Sequence, residues 1–401
     1  MPPKVQTEPG ACQNGPSRRV RLPFAGFKQT CERVLASSLY YTGLLSMARR
    51  VERSHELRSS ANSSLPRLQR FADSKFGILC YHRVGTEGVP LFSRLEPAVF
   101  EAQMCYLRKH YRIIPIAQLC QELREGRQVV PTLAITFDDG YRDLFTYAYP
   151  VLRKYAIPAT IYLIGRSMET GEAPWYDRVF VAFACARRPT LEVQMQELRQ
   201  FDLSTPTLRN NAAWETVCFL RSIPNAQRQK WCAEFEQRIE PRSDWLENRF
   251  LNWDQVRTMQ RGGVFFGAHT MTHPSVSGLD SADFHEEFVH SKQLLEDGLD
   301  GLVEDFAYPF GRLSDVSCAA EDFVVRTGYR SAVTTMEGFN SSSANLHMLN
   351  RLQIGDDRSL SSFAFRVVRM FLEAPPKLHS RCEISIPDEH TPQAVGQRNE
   401  S

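Results

Sequence analysis

From about Lys75 onward the chain alternates short β-prone runs with amphipathic stretches, and this alternation limits the fold more than any other feature. The β-prone runs are Gly77–His82 (GILCYH), Arg112–Ile116, Thr132–Phe137 (TLAITF), Ala159–Ile164 (ATIYLI), Gly263–Ala268 (GVFFGA), Asp305–Tyr308, Ser331–Thr335 and Arg351–Ile354. Helical patterns fall between most of them, at Pro97–His110, Tyr141–Tyr155, Ser281–Leu299 and Ala319–Gly328. Strands that alternate with helix-length segments read as parallel βα units, because a parallel crossover needs a dozen or more residues and a helix supplies them. Seven or eight such units predict an α/β domain of barrel type.

The rhythm breaks once, from Trp175 to Phe250, where Arg, Gln, Glu and Trp abound and no convincing strand is visible. Loops longer than about 15 residues without structure of their own are uncommon, so this stretch predicts a helical insertion that serves as a lid or a folded subdomain. The first twenty or so residues and the stretch from Pro375 onward lack periodicity and are expected to be disordered. The expected division is an N-terminal extension over 1–72, a catalytic-type α/β domain over 73–371 and a tail over 372–401.

Composition narrows the class. A 42% hydrophobic and 23% charged chain with a net charge of +2 is that of an ordinary globular protein, and its scattered arginines leave no nucleic-acid footprint. The ten cysteines form no C-x-x-C pair, so neither a zinc ribbon nor a disulfide framework is expected, and several sit in apolar runs as small hydrophobes. The N-terminus lacks the basic-then-apolar pattern of a secretory signal, which favours a cytoplasmic or peripheral-membrane location. The most apolar stretch, Val34–Met47, falls short of the roughly 20 residues of a spanning helix and reads as a helix lying on the domain or on a membrane surface.

Chemistry-bearing residues follow directly on the β runs, which in a parallel barrel is the rim where active sites are built. TLAITF is followed by Asp138-Asp139-Gly140-Tyr141-Arg142-Asp143, and GVFFGA by His269-Thr270-Met271-Thr272-His273-Pro274. Adjacent carboxylates repel unless a cation or a shared proton lies between them, and a turn at Gly140 lets both side chains face one cavity. Taken alone, D-D-G fits a solvated Asx-type turn at least as well. His269 and His273 are four residues apart, so both imidazoles share a face if the turn is helical. Thr270 stands where a zinc metalloprotease needs glutamate, which excludes that class. The histidine pair and the acidic pair together suit a His₂-carboxylate site with open positions, binding Zn²⁺ or a similar ion.

The T-F-D-D-G run at Thr136–Gly140 and the H-[ST]-x-x-H run at His269–His273 resemble the polysaccharide deacetylase (NodB-homology) family over roughly Lys75 to Phe371. Less specific similarities are Tyr81–Val84 (YHRV), Leu251–Gly267 and Phe306–Gly311 (FAYPFG). The resemblance implies a distorted (β/α)7-8 barrel with the helical insertion. It also implies that Asp139, His269 and His273 bind a divalent metal, Zn²⁺ first with Co²⁺, Ni²⁺ or Fe²⁺ as alternatives, and that Asp138 is the general base. The backbone N–H of Tyr141 is implied as oxyanion donor, with Tyr308 and Pro309 on the site wall. Two positions depart from the pattern: Ala307 stands where many members carry an arginine that orients the base, and Leu349–Ile354 lacks the usual acid histidine. His82, which ends the first β run on the same rim, is the expected substitute acid. Trp175, Tyr176 and Asp177 either stack on a sugar ring or open a helix with buried aromatics, whereas Trp253 and Asp254 begin a helix.

The expected activity is metal-dependent hydrolysis of N-acetyl groups on amino sugars of a glycan or glycoconjugate. O-deacetylation of a xylan-like glycan uses the same chemistry and is the nearest alternative. A non-catalytic glycan-binding barrel is disfavoured by the intact acids and histidines.

Overall fold

The computed structural model describes residues 36, 39–40, 75–86, 94–125, 132–239, 246–247, 249–341, 343–355 and 359–372. The strands are β1 (Lys75–Tyr81), β2 (Arg112–Ile113), β3 (Thr132–Phe137), β4 (Ala159–Leu163), β5 (Thr190–Gln194), β6 (Leu198–Asp202), β7 (Val264–Ala268), β8 (Asp305–Ala307), β9 (Ser331–Val333), β10 (Asn340–Ser341) and β11 (Leu352–Gln353). The main sheet runs β10-β1-β3-β4-β7-β8-β9, with β2 on β3 and β11 on β1. Val333 bridges Leu349 in parallel and Leu352–Gln353 pairs in parallel with Leu79–Cys80, so the segment 349–353 joins β9, the last strand of the path, to β1. The sheet therefore curls into the expected distorted barrel.

Side-chain alternation gives the barrel two apolar layers. Ile78, Ala134, Tyr162, Ala307, Val333 and Leu349 fill its interior. A larger layer, including Leu79, Ile135, Phe137, Ile161, Leu163, Phe306 and Tyr308, packs beneath helices such as Pro97–His110 and Leu360–Leu372. Gly267 is required by the interior packing: a Cβ there would lie 2.6 Å from the Asp305 carbonyl and from the Tyr162 ring.

Differences from the sequence expectation have local causes. The second β run stops at Ile113 because Pro115 caps a helix that starts at Ile116. The Tyr141–Tyr155 helix is divided into a π-turn at Leu144–Ala148 and a helix at Tyr149–Lys154, where Pro150 lacks the N–H that would continue the ladder. The insertion is not purely helical. Between the helices Trp175–Cys185 and Pro206–Ser222 it folds β5 and β6 into an antiparallel hairpin, and it continues with the helix Asn225–Ile239. The hairpin escapes sequence patterning because each strand buries only one residue, Val193 or Phe201, and its other positions are exposed or partly so. Phe180, Phe183, Val193, Leu203, Val217 and Phe235 give the insertion a core of its own, which makes it a folded subdomain.

Of the N-terminal extension, Ala36, Leu39 and Tyr40 are described. All three are helical, Ala36 is buried, and Leu39 and Tyr40 pack on the barrel's outer layer, with Tyr40 6.4 Å from the ring of Tyr106. The rest of Val34–Met47 and the tail beyond 372 lie outside the described residues. No helix among the described residues is long and apolar enough to cross a membrane. Cys80, Cys105, Cys120, Cys218 and Cys232 are free, whereas Cys318 is disulfide-bonded.

Candidate active site

The strand register brings the rim residues to one level. Tyr81 pairs with Phe137, Leu163 with Ala268, and Ala268 with Phe306, so His82, Asp138, His269 and Ala307 emerge side by side as the next residues. Asp138 continues the inward-facing series Thr132, Ala134, Thr136. Asp139 would point outward on an extended strand, but it adopts φ +73°, as does Gly140 with φ +75°, and this left-handed pair turns its carboxylate back over the barrel mouth.

The two carboxylates meet opposite environments. Asp138 is buried, and both its oxygens accept from Arg351, Oδ1 from Nη1 at 2.7 Å and Oδ2 from Nη2 at 2.7 Å. Arg351 is fully buried and also donates through Nε to the Thr334 carbonyl at 2.6 Å and through Nη1 to Thr136 Oγ1 at 3.2 Å. Burial alone would raise the Asp138 pKa, yet the guanidinium outweighs it and holds the carboxyl well below the usual range. Asp139 is also buried, but its Oδ1 has no hydrogen-bond partner among the described residues. Burial and the charge of Asp138 push its carboxyl up.

Asp139 Oδ1 faces His269 Nε2 and His273 Nε2, each at 3.5 Å. His269 Nδ1 lies 2.7 Å from the Ala307 carbonyl, which can only accept, so Nδ1 carries the hydrogen and Nε2 presents its lone pair to Asp139. Burial lowers the His269 pKa to about 4 and that of His273 well below its usual value, so both are neutral at pH 7. The His273 Nδ1 has no hydrogen-bond partner among the described residues, and Asp139 Oδ1 makes no hydrogen bond to either Nε2. A cation between Asp139 Oδ1 and the two Nε2 atoms would satisfy all three, and the spacing fits: ligands about 2.0–2.1 Å from a tetrahedral zinc stand roughly 3.4 Å apart. The cluster Asp139, His269, His273 has the chemistry of a divalent-metal site.

The histidine pair does not lie on a helix, as its spacing suggested. Thr270 at φ +63° and His273 at φ +60° form a compact turn instead. Buried Glu287 holds that turn by accepting the N–H groups of Met271 at 2.9 Å and Thr272 at 2.8 Å. Trp175 Nε1 donates to the His273 carbonyl at 3.0 Å, and the Tyr176 ring lies 4.6 Å from the His273 ring. Trp175, Tyr176 and Asp177 are therefore buried supports at a helix start. Trp253 and Asp254 begin a helix as expected, with Asn252 and Gln255 as its capping box.

His82 sits at the mouth with its side chain 42% exposed and Nε2 3.9 Å from Asp138 Oδ2. Partial burial and Arg351 lower its pKa, against the pull of Asp138. At Tyr141, the bonds Leu251 N–H to Gly140 C=O and Arg142 N–H to Arg249 C=O make Tyr141 and Phe250 a non-hydrogen-bonded antiparallel pair. The Tyr141 N–H accordingly points away from Phe250.

Tyr308 is not on the site wall. Its ring lies in the outer core 5.2 Å from Phe306, because Ala307 takes the inward position of that strand end. Pro309 is buried and opens a turn in which Phe310, at φ +58°, places its ring 4.9 Å from His273. Phe310 and Arg351 were both missed in the sequence. Arg351 carried a usable signal, since a cation at an inward position of an apolar strand must find a buried partner. The arginine absent at Ala307 is thus replaced by one from the strand segment across the barrel.

A family model described as "Polysaccharide deacetylase" matches residues 125–330, just over half of the chain. YxkH of Bacillus subtilis (strain 168), named for the same family, is 22% identical over 299 residues, covering 74% of this chain and 77% of that protein. The poly-β-1,6-N-acetyl-D-glucosamine N-deacetylase of Staphylococcus aureus (strain MSSA476) is 23% identical over 166 residues, or 38% of this chain and 55% of that one. The solved structure of the Streptococcus pyogenes deacetylase PplD in complex with acetate shares the fold, with a TM-score of 0.51 at 20% identity over 74% of this chain and 98% of that one. This chain belongs to the polysaccharide deacetylase family.

Proposed function

We propose that the protein hydrolyses N-acetyl groups from amino sugars of a polysaccharide, with a divalent metal held by Asp139, His269 and His273. The observation that carries this reading is the split between neighbouring carboxylates: one is locked in an ion pair with Arg351, and the other holds a buried, unpartnered oxygen 3.5 Å from the Nε2 atoms of both histidines. Relatives named as poly-β-1,6-N-acetyl-D-glucosamine N-deacetylases, in Staphylococcus aureus and Escherichia coli, support an N-acetylated amino-sugar polymer as substrate.

A bound dication supplies Lewis acidity to water and to the acyl carbonyl. Asp138 takes the proton of the attacking water. Its ion pair with Arg351 keeps it ionised throughout the neutral range, and the same low pKa makes it give the proton up readily. The Tyr141 N–H donates to the developing oxyanion. His82, neutral at rest and close to Asp138, passes a proton to the departing amine; its 3.9 Å separation is closed by a small side-chain movement or a bridging water.

Acetate release from a β-1,6-linked N-acetylglucosamine oligomer, with acetylated xylan as comparison, tests the reading. Zn²⁺- or Co²⁺-loaded wild type is expected to cleave the amide. Asp138→Asn should retain the metal and lose about 10²- to 10⁴-fold in rate, whereas Asp139→Asn should lose the metal as well. Equal metal loss in both variants, or cleavage confined to xylan esters, overturns the assignment.

A further inference from the structure

We propose that Asp177 is a positioning residue for the reaction: through the Tyr141 hydroxyl it fixes the aim of the Tyr141 peptide N–H, and so draws both ends of the insertion into the catalytic rim. The inference rests on the role proposed for Tyr141 above.

Tyr141 follows directly on the Asp138-Asp139-Gly140 turn, in which Asp139 and Gly140 have left-handed backbone. It is held on several sides. Its hydroxyl donates to Asp177 Oδ1 at 2.9 Å, its ring stacks on Phe250 at 4.9 Å and 29°, and the Arg83 guanidinium lies 4.7 Å from the ring centroid. Arg83 is fixed in turn by Asp143 at 2.8 Å. The backbone on either side of Tyr141 is tied to Arg249 and Leu251. Asp177 belongs to the first turn of the helix that opens the insertion, and Arg249 and Phe250 close it.

Asp177 is an expensive residue to place here. It is completely buried, its Oδ2 has no hydrogen-bond partner among the described residues, and Arg83 and Arg249 offset its charge only from a distance. A buried aliphatic side chain would serve helix packing without that penalty. What the carboxylate adds is one directional bond to the hydroxyl of the residue whose peptide N–H is proposed above as the oxyanion donor. An oxyanion donor acts only when its N–H meets the position where charge develops, so a small rotation of this peptide weakens it.

The test compares Asp177→Asn, which keeps a carbonyl acceptor, with Asp177→Leu, Tyr141→Phe and the Asp177→Leu/Tyr141→Phe double variant. The probe is the β-1,6-linked N-acetylglucosamine oligomer with zinc-loaded full-length protein. Asp177→Leu and Tyr141→Phe should each lower kcat about 10- to 100-fold, part of the roughly 10²- to 10³-fold worth of a whole oxyanion donor, with KM and zinc content little changed. The double variant should be no worse than the poorer single, and Asp177→Asn should stay within about threefold of wild type, as expected for one shared interaction.

A rise in KM at unchanged kcat, additive losses, or equal damage from Asn and Leu overturns the proposal. The amide resonance of Tyr141 in ¹⁵N-tyrosine-labelled protein, identified by its absence in Tyr141→Phe, gives a readout without turnover. It should shift or broaden in Asp177→Leu and stay in place in Asp177→Asn. If wild type releases no acetate, the functional reading fails on its own, and an unmoved resonance in Asp177→Leu still refutes the role of Asp177. Should Asp177→Leu not fold, the kcat and KM of Tyr141→Phe, which removes a single oxygen, decide the question.

Discussion

At the residue scale, the chemistry turns on which charge each buried group can keep. Arg351 fixes Asp138 as an anion by gripping both oxygens, a geometry that lysine cannot reproduce. Arg351→Met leaves Asp138 buried and unpaired, which is expected to destabilise the fold by about 3–5 kcal/mol. It should also lower kcat/KM at least about 100-fold with the metal retained, while Arg351→Lys falls between. Denaturant titration and acetate release read the two effects, and a Met variant as active as wild type would mean that Asp138 needs no tuning. His82→Ala is expected to lower kcat about 10²-fold with zinc retained, and an ester with a good leaving group should recover much of that loss. Because His82 acts from its neutral form and its pKa is lowered, the ascending limb it controls should lie on the acid side of an ordinary histidine. Amide turnover within threefold of wild type would leave Asp138 as both base and acid.

At the element scale, the β strands carry polar groups inside the barrel that are not needed for the reaction as proposed. Asp305, at the start of β8, accepts from Ser331 Oγ at 2.6 Å, and burial pushes its carboxyl up to about 6. The unfolded carboxyl titrates near 3.9. Between about pH 4 and 6 the folded chain therefore binds more protons than the unfolded one, so this group's contribution to stability falls as pH rises through that window, and the full penalty is present above it. Asp305→Asn keeps an acceptor for Ser331 without the charge. It should raise stability by about 1–2 kcal/mol at pH 7 and give no gain at pH 4, since a tenfold difference in proton affinity between the two states is worth about 1.4 kcal/mol. Thermal midpoints of both proteins at the two pH values check this, and an equal change at both would remove titration as its cause.

At the scale of the whole molecule, barrel and insertion meet around the same histidine turn. Trp175 reaches the His273 carbonyl from the insertion, and Arg221 from the helix Pro206–Ser222 pairs with Asp315 and lies 4.7 Å from the Phe310 ring. Glu287 supports the turn from the barrel side. The proposed metal ligands thus follow directly on β3 and β7 with supports from both parts, so metal binding there would be coupled to the folding of the whole. Zn²⁺ at about 100 times its Kd should stabilise the protein by about 2.7 kcal/mol. A thermal shift with added Zn²⁺, reversed by chelator and absent in His273→Ala, is the expected result, and the same shift in that variant would place the ion elsewhere.

Periodicity by itself determined the parallel βα architecture, the strand positions to within a few residues and the place of the insertion, because these depend on local alternation of apolar side chains. The D-D-G and H-x-x-x-H runs likewise named Asp138, Asp139, His269 and His273, since short-range spacing limits what such groups can do together. Only the tertiary structure decided what lies across the barrel. Arg351 reaches Asp138 because the segment 349–353 closes onto β1, over two hundred residues away in sequence. Tyr308 turns into the outer layer because Ala307 takes the inward place. The β5–β6 hairpin exists because helices of the insertion cover its one buried residue per strand. Asp139 departs from Asp138 through a backbone angle of φ +73°, and Asp177 meets Tyr141 only when the start of the insertion folds back on the rim. Local pattern records which face of an element is apolar. Which partner a buried charge finds depends on chain closure, and a single sequence does not encode that in any local window.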